Sequence, residues 1–566
     1  MGTTITKEKT HRPRVVAGLT PYAGTFDKEQ ITHLLKRTMF GATKADVDFF
    51  TGKTLTETIN TLLTAPAALT DDKLPLNYYG TVANGVDPNV TFGSTWVYSP
   101  ENGNLNGQRR TSIKAWWGAQ MMNQTRSIFE KMVLFWHNHF STEIVDTTAL
   151  MFFKHLALLR ANALGNFKTL TKEVTLDPNM LRYLNGYLNR KTAPDENYGR
   201  ELQELFTVGK GPNSKYTEDD VKAAAKVLTG WSIRNVVDPQ NPAQYKWESY
   251  FTPVNHDTTP KVFSAFYGNK TITTPVTNTQ ADASAEIDAM LDMIFATNET
   301  AMYVCRRIYR FFVYYDIDAT VEAEVITPMA DIFRQANYDI KPVLKALFSS
   351  EHFFDVAQKA CLIKSPIEFA VGLVREFNMV FPTTITTLET DLPVLYSAWY
   401  TIVGDRNNGA ATQGQNIGDP PNVSGWYAYY QVPVFHEAWI NTDTFPKRLR
   451  FSDQFMITST GLGVGNNKFL KVDFVKFTDS FGTDAEDPNT LITRALEILY
   501  RVTPTQAMLT YLKMTILLDG QVTDHYWTDA WLAYKSSPTT TNFNIVNTRL
   551  QKFYTFIVRN PEYQLA

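Results

Sequence analysis

Helix punctuation constrains this chain more than any other feature of its sequence. Thr54 stands three residues before Glu57, and Thr217 three before Asp220, the spacing at which a cap hydroxyl and a carboxylate exchange hydrogen bonds with first-turn N–H groups. Each signal opens an apolar face at helical spacing. Leu55, Ile59, Leu62 and Leu63 follow the first, and Val221, Ala224, Ala225 and Leu228 the second, which Gly230 closes. Thr25 or Asp27 likewise opens a helix through Ile31, Leu34 and Leu35 to Met39, with Gly41 as its terminator, and Thr43 with Asp46 opens the next. A chain punctuated in this way is predicted to be mainly α: a large multi-helix array with long ordered loops and at most a few short β strands.

At 566 residues the chain exceeds the size at which one core usually keeps growing. Composition shifts divide it into a helical unit over 1–65, an irregular insertion over 66–109, a central helical motif block over 110–235 and an irregular loop or lid over 236–280. A helical block over 281–403, a Pro/Gly-rich connection over 404–450 and a helical part over 451–566 follow. No repeat of fixed period links these parts.

A charged fraction of 20% and a hydrophobic fraction of 44% are those of a globular protein. A net charge of −3 offers no broad basic surface to a phosphate backbone, so nucleic acid is not an expected partner. No apolar run is long enough to span a bilayer. Met1 to Ala17 carries Lys7, Lys9, Arg12 and Arg14 without an apolar stretch, so no secretory signal is visible in the chain. Two cysteines, Cys305 and Cys361, each in an apolar helical pattern, argue against a disulfide framework or thiolate cage. Loop aromatics such as Tyr78, Tyr79, Trp96, Tyr98, Tyr427, Tyr429 and Tyr430 suit stacking platforms for a sugar or peptide, but lidding the core is the commoner role.

Three segments carry the residues suited to chemistry. Trp136-His137-Asn138-His139-Phe140 places two of nine histidines at the end of a long apolar run. At roughly 100° per residue, Ile128, Met132, Phe135 and His139 share a stripe, while His137 points almost the opposite way. A shared metal ion therefore requires the helix to stop before His137. Otherwise His139 faces inward, hydrogen-bonded to a neighbour, and His137 lies at the rim. The second segment, Pro194 to Phe206, has an apolar stripe of Tyr198, Leu202, Leu205 and Phe206 and a polar one of Asn197, Arg200, Glu201 and Glu204. It reads either as an ion-pair ladder, Glu196 to Arg200 to Glu204, or as a carboxylate pair facing the imidazoles. His139, Glu201, Glu204, Arg200 and Asn197 are the candidate catalytic residues, and His256-Asp257 adds an isolated imidazole and carboxylate. The third segment, Pro420-Pro421-Asn422-Val423-Ser424-Gly425-Trp426, is a rigid turn suited to stapling helical parts together or walling a pocket. No nucleophile elbow, phosphate-binding loop or dinucleotide fingerprint occurs. The cofactor stays unassigned, since a haem held by one histidine leaves almost no sequence trace.

These segments, with Leu34-Leu35-Lys36-Arg37-Thr38-Met39-Phe40-Gly41, Asp177-Pro178-Asn179-Met180-Leu181, Leu228-Thr229-Gly230-Trp231 and Asn560-Pro561-Glu562-Tyr563-Gln564-Leu565, resemble in order the bacterial family catalogued as domain of unknown function 1800. The resemblance implies a mainly helical, uncharacterised bacterial protein, exported or in the cell envelope, with another exported or envelope protein as partner. It transfers no activity. The chain departs from the family pattern at Gly199, where Ala is typical, and at Gln203, where Leu is common. Two functions are open: an envelope-associated, hydrolase-like enzyme with a His/Glu-lined central pocket, or a non-catalytic helical scaffold or binding partner in a cell-envelope or secretion-linked assembly.

Overall fold

The computed structural model describes residues 17–80, 86–381, 386–457 and 460–566; the basic stretch through Arg14 lies outside them. Helices begin where the caps stand. Asp27 accepts the Glu29 N–H and opens α1 (Lys28–Thr38), and the Thr54 and Glu57 side chains form a reciprocal capping box ahead of Leu55–Leu62. The chain continues through α2 (Phe129–His139), α3 (Ala149–Ala161), α4 (Asn197–Glu201) and α5 (Glu218–Val227). Further on lie α6 (Asn298–Phe312), α7 (Pro366–Glu376), α8 (Thr444–Met456) and α9 (Thr540–Arg559). Among the described residues the strands form three two-stranded sheets, so the fold is mainly α. No helix among these residues is long and apolar enough to cross a membrane.

Thr217 caps α5 through the Asp220 N–H and donates its hydroxyl to the Asp220 carboxylate at 2.9 Å. Thr217→Ala is expected to lower stability by about 1 kcal/mol in denaturant unfolding, the usual worth of an N-cap.

The largest sheet is an antiparallel hairpin, β1 (Trp231–Asp238) with β2 (Asn241–Phe251), in register from Trp231 opposite Phe251. It starts at the end of the predicted motif block and lies on the insertion before that block. The Tyr245 N–H donates to the Tyr98 carbonyl and Trp247 Nε1 to Glu101. Loop aromatics of the insertion cover core: the Tyr78 ring stacks on Tyr396 at 4.5 Å and Trp96 Nε1 donates to Ser112 Oγ at 3.1 Å. Cys361, predicted within a helical pattern, instead follows the Val356–Gln358 turn in a loop: the backbone is already extended at Lys359, and Ala360 is left-handed.

The first and last parts of the chain both close on its middle. The Tyr22 N–H donates to the Ser349 carbonyl and the Glu351 N–H to that of Thr20. The Lys364 N–H donates to the Gln564 carbonyl, and the Ala566 N–H to that of Leu362. Lys36 on α1 reaches Glu376 on α7 at 2.6 Å and the Leu499 carbonyl at 3.2 Å. Above this junction α9 packs on α8, and Tyr554 reaches Thr478 at 2.8 Å.

Candidate functional site

Helix α2 runs unbroken through both histidines to a cap at Phe140, so the condition for a shared metal ion is not met. Among the described residues no three His, Cys, Asp or Glu side chains are grouped to hold one. The two imidazoles enter separate pockets. His139 faces inward as predicted and donates from Nε2 to the Phe206 carbonyl at 2.9 Å, within a cage of Trp136, Phe140, Phe167 and Phe206 rings. Burial, reinforced by nearby Arg307, holds its pKa far below that of an ordinary imidazole, so the ring is neutral.

His137, predicted at the rim, is fully buried. The connection after Gly404 folds back over this face of α2 and delivers the Gly418 N–H to His137 Nε2 at 3.2 Å. The rings of Trp117, Phe152 and Trp426 complete the enclosure. Helical periodicity shows that His137 points away from His139, but not that a distant loop covers it. Burial drives its pKa down to about 3, with His155 and Lys114 adding to the effect.

The same connection anchors the helix end between the two histidines. Asn138 Oδ1 accepts the Trp426 N–H at 2.9 Å, and Arg307 on α6 donates to the Asn138 carbonyl at 3.2 Å. The Pro420 to Trp426 turn is thus the staple of the two sequence readings. Its Gly425 has φ +90°, and a Cβ there would lie 2.3 Å from Asn138 Oδ1 and 2.5 Å from the Asn138 carbonyl oxygen.

The glutamate segment departs from regular helix. After α4 the backbone widens into a π turn, Leu202–Thr207. Such a turn leaves carbonyls available to side chains. Leu205 accepts from the Tyr303 hydroxyl at 2.8 Å and Phe206 from His139. The widening also breaks the expected ladder. Arg200 keeps Glu196 at 3.2 Å but turns to Glu218 on α5 at 2.6 Å, while Glu204 pairs with Lys210 at 2.6 Å. Glu201 and Glu204 stay neighbours, and burial followed by the Glu204 charge raises the Glu201 pKa. Asn197 lies at the start of α4, with its amide 3.5 Å from the Leu184 carbonyl and its N–H on Asp195. The Arg200 pairs are partly exposed, so Arg200→Ala is expected to change the unfolding free energy by less than about 1 kcal/mol.

Gly199 has a packing reason. A Cβ at this position would meet the Ala225 N at 3.1 Å and the Val221 O at 3.2 Å, so α4 and α5 approach almost backbone to backbone. Gln203 is buried, bridging the Gly199 carbonyl and the Tyr267 hydroxyl.

A buried dyad was not singled out from the sequence. His155 on α3 lies 3.0 Å from Asp177, whose carboxylate also caps helix Pro178–Tyr183. Asn179 donates to Thr142 Oγ1 at 2.9 Å, just beyond the end of α2. The Asp-Pro-Asn order was the available signal: a cap acid ahead of proline at the first helical position. His256 instead joins Glu286 at 3.2 Å, and Lys261 meets the same carboxylate at 2.6 Å, forming a closed buried cluster beside the hairpin.

Fold and site together define a large helical protein whose motif histidines are held at the contact of α2, the π turn and a returning loop. The model of the family described as "Protein of unknown function (DUF1800)" matches residues 33–565, and the chain belongs to that family. No curated protein and no solved structure matches it.

Proposed function

We propose that this protein is a non-catalytic helical binding partner in a cell-envelope or secretion-linked assembly, and that its motif block is a structural clamp. One observation carries the reading: both imidazoles of the block are committed to backbone groups. His139 Nε2 serves the Phe206 carbonyl and His137 Nε2 the Gly418 N–H, with both rings buried and neutral. Neither histidine is hydrogen-bonded to Glu201 or Glu204, whose surroundings are Arg200, Lys210 and Tyr216. The envelope location and the exported protein partner come from the family resemblance. A cleft of about 590 Å³ offers ligand-sized space elsewhere, lined by Trp116, Phe129, Tyr396 and Trp399 and bordered by the bidentate Glu130–Arg160 pair.

A hydrolase-like reading keeps one support, the Glu201–Glu204 neighbourhood with Glu201 shifted toward its protonated form. Elemental analysis, thermal unfolding and a panel of chromogenic ester, glycoside and phosphate substrates separate the two. The clamp reading expects His139→Gln to lower the melting temperature, Glu201→Gln to leave it nearly unchanged, and no substrate to turn over. Turnover abolished by Glu201→Gln, or a stoichiometric metal lost from a folded His139→Gln variant, overturns it.

A further inference from the structure

The returning loop that covers His137 also brings three reactive side chains together. Lys114, on the helix Asn106–Met122, reaches between two side chains of that loop. Its Nζ donates to Asn416 Oδ1 at 2.8 Å and to Asp419 Oδ2 at 2.5 Å. The Asn416 amide donates from Nδ2 to the same Asp419 oxygen at 3.1 Å. These contacts fix which way the Asn416 amide points, because turning it over would set its NH2 group against the ammonium. An amine, a primary amide and a carboxylate that touches the nitrogen of each thus form one closed triangle.

The triangle is held from outside as well. The Asp419 N–H donates to the Asn416 carbonyl at 3.0 Å, and Asp419 Oδ1 accepts the Val145 N–H at 3.4 Å. The Ile144 N–H donates to the Gly418 carbonyl at 2.8 Å. A Cβ at Gly418 would lie 3.3 Å from the Phe152 ring and 3.5 Å from Lys114 Cε, so the loop rests directly on the lysine stem. The Lys114 and Asp419 side chains are only 10% and 13% exposed, which leaves little water to compete for the amide. An ε-ammonium becomes a nucleophile once a neighbouring base holds its proton, and Asn416 Cγ is one bond from the oxygen that Nζ already touches.

We propose that Lys114 and Asn416 join in an intramolecular isopeptide bond, with Asp419 carrying the protons. Asp419 accepts one proton from Nζ, and the lone pair left there attacks Asn416 Cγ. Asp419 delivers that proton to Nδ2, and the Cγ–Nδ2 bond breaks with its electron pair on the departing ammonia. A second Nζ proton follows through Asp419 and leaves with the ammonia as ammonium. The reaction consumes no oxidant, reductant or co-reactant. The bond ties residues 302 positions apart and locks the loop over His137. It rests on this local geometry and not on the binding role of the protein.

Intact mass under denaturing conditions reads the bond directly. The full chain, purified folded, is expected to weigh one ammonia less than its sequence, and a protease digest is expected to contain a branched peptide joining Lys114 to Asn416. An unshifted mass overturns the proposal. So does an ammonia loss that maps elsewhere, such as ring closure at Asn408-Gly409. Lys114→Arg keeps a cation beside Asp419 but cannot form the bond, and Asp419→Asn removes the proton carrier; both are expected at unshifted mass. A branched peptide that persists in Asp419→Asn overturns the role of Asp419.

Discussion

Gly425→Ala is expected to lower the unfolding free energy by about 3 kcal/mol or more, read from denaturant midpoints. Two independent costs add. A residue with a Cβ pays about 1–2 kcal/mol in left-handed backbone, and Gly425 sits at φ +90°. The new carbon also falls 2.5 Å from a backbone oxygen, that of Asn138, which α2 holds in place. The turn must retreat, and the Trp426 N–H then loses Asn138 Oδ1, a buried donor left unmet at about 1–3 kcal/mol. Asn138→Ala removes the same acceptor without the backbone strain, so its effect is expected to be smaller. The double variant is expected to fall short of the sum, because both changes break one contact. Equal stability of Gly425→Ala and the wild type would show that the staple contributes nothing.

Acidification is the second large effect. His137 has a folded pKa of about 3 against about 6.5 for a free imidazole. Between these values the unfolded chain holds the extra proton, so stability rises with pH through that window, is complete above pH 6.5 and is lost progressively below it. At 1.36 kcal/mol per unit, His137 alone removes about 3 kcal/mol between pH 7 and pH 4. His33 and His139, also buried and shifted down, act in the same direction. Glu368 and Glu376, held ionised by Lys131 and by Lys36 with Lys364, steepen the fall at the acid end. Lys36 extends the rising slope above pH 7, where its folded form has released a proton that the unfolded form keeps. Denaturant unfolding at pH 7, 5.5 and 4.5 measures the slope. His137→Gln, which cannot titrate, is expected to show a shallower one, and parallel slopes would exclude His137 as a source.

Local features of this fold were legible because local chemistry sets them. Thr54 and Thr217 start helices where their hydroxyls reach first-turn N–H groups, and the divergence of His137 and His139 follows from helical rotation alone. The small Ala224 and Ala225 of α5 are residues that Gly199 approaches closely. Features set by distant residues were not legible. His137 is covered by Gly418, 281 positions away in the chain, and no periodicity carries that information. The π turn at Leu202 shifts one hydrogen-bond register without a change in composition, so the predicted ladder from Arg200 to Glu204 gives way to Glu218 and Lys210. The hairpin β1–β2 is longer than the few short strands expected, and β1 starts inside the predicted helical block: both strands are half-exposed along most of their length, which blurs the alternation that marks a strand. Asp177 was noticed as part of a motif, but its pairing with His155 depends on how α3 packs.

The closure of both chain ends on the middle also sets an order of events during synthesis. The backbone near Leu362 and Lys364 receives its partners only when Gln564 and Ala566 have been made, and the Leu499 carbonyl that Lys36 reaches lies 463 positions further along. The first and middle parts can meet before that, through Tyr22 with Ser349 and Lys36 with Glu376, so it is the docking of the last part that the chain order places late.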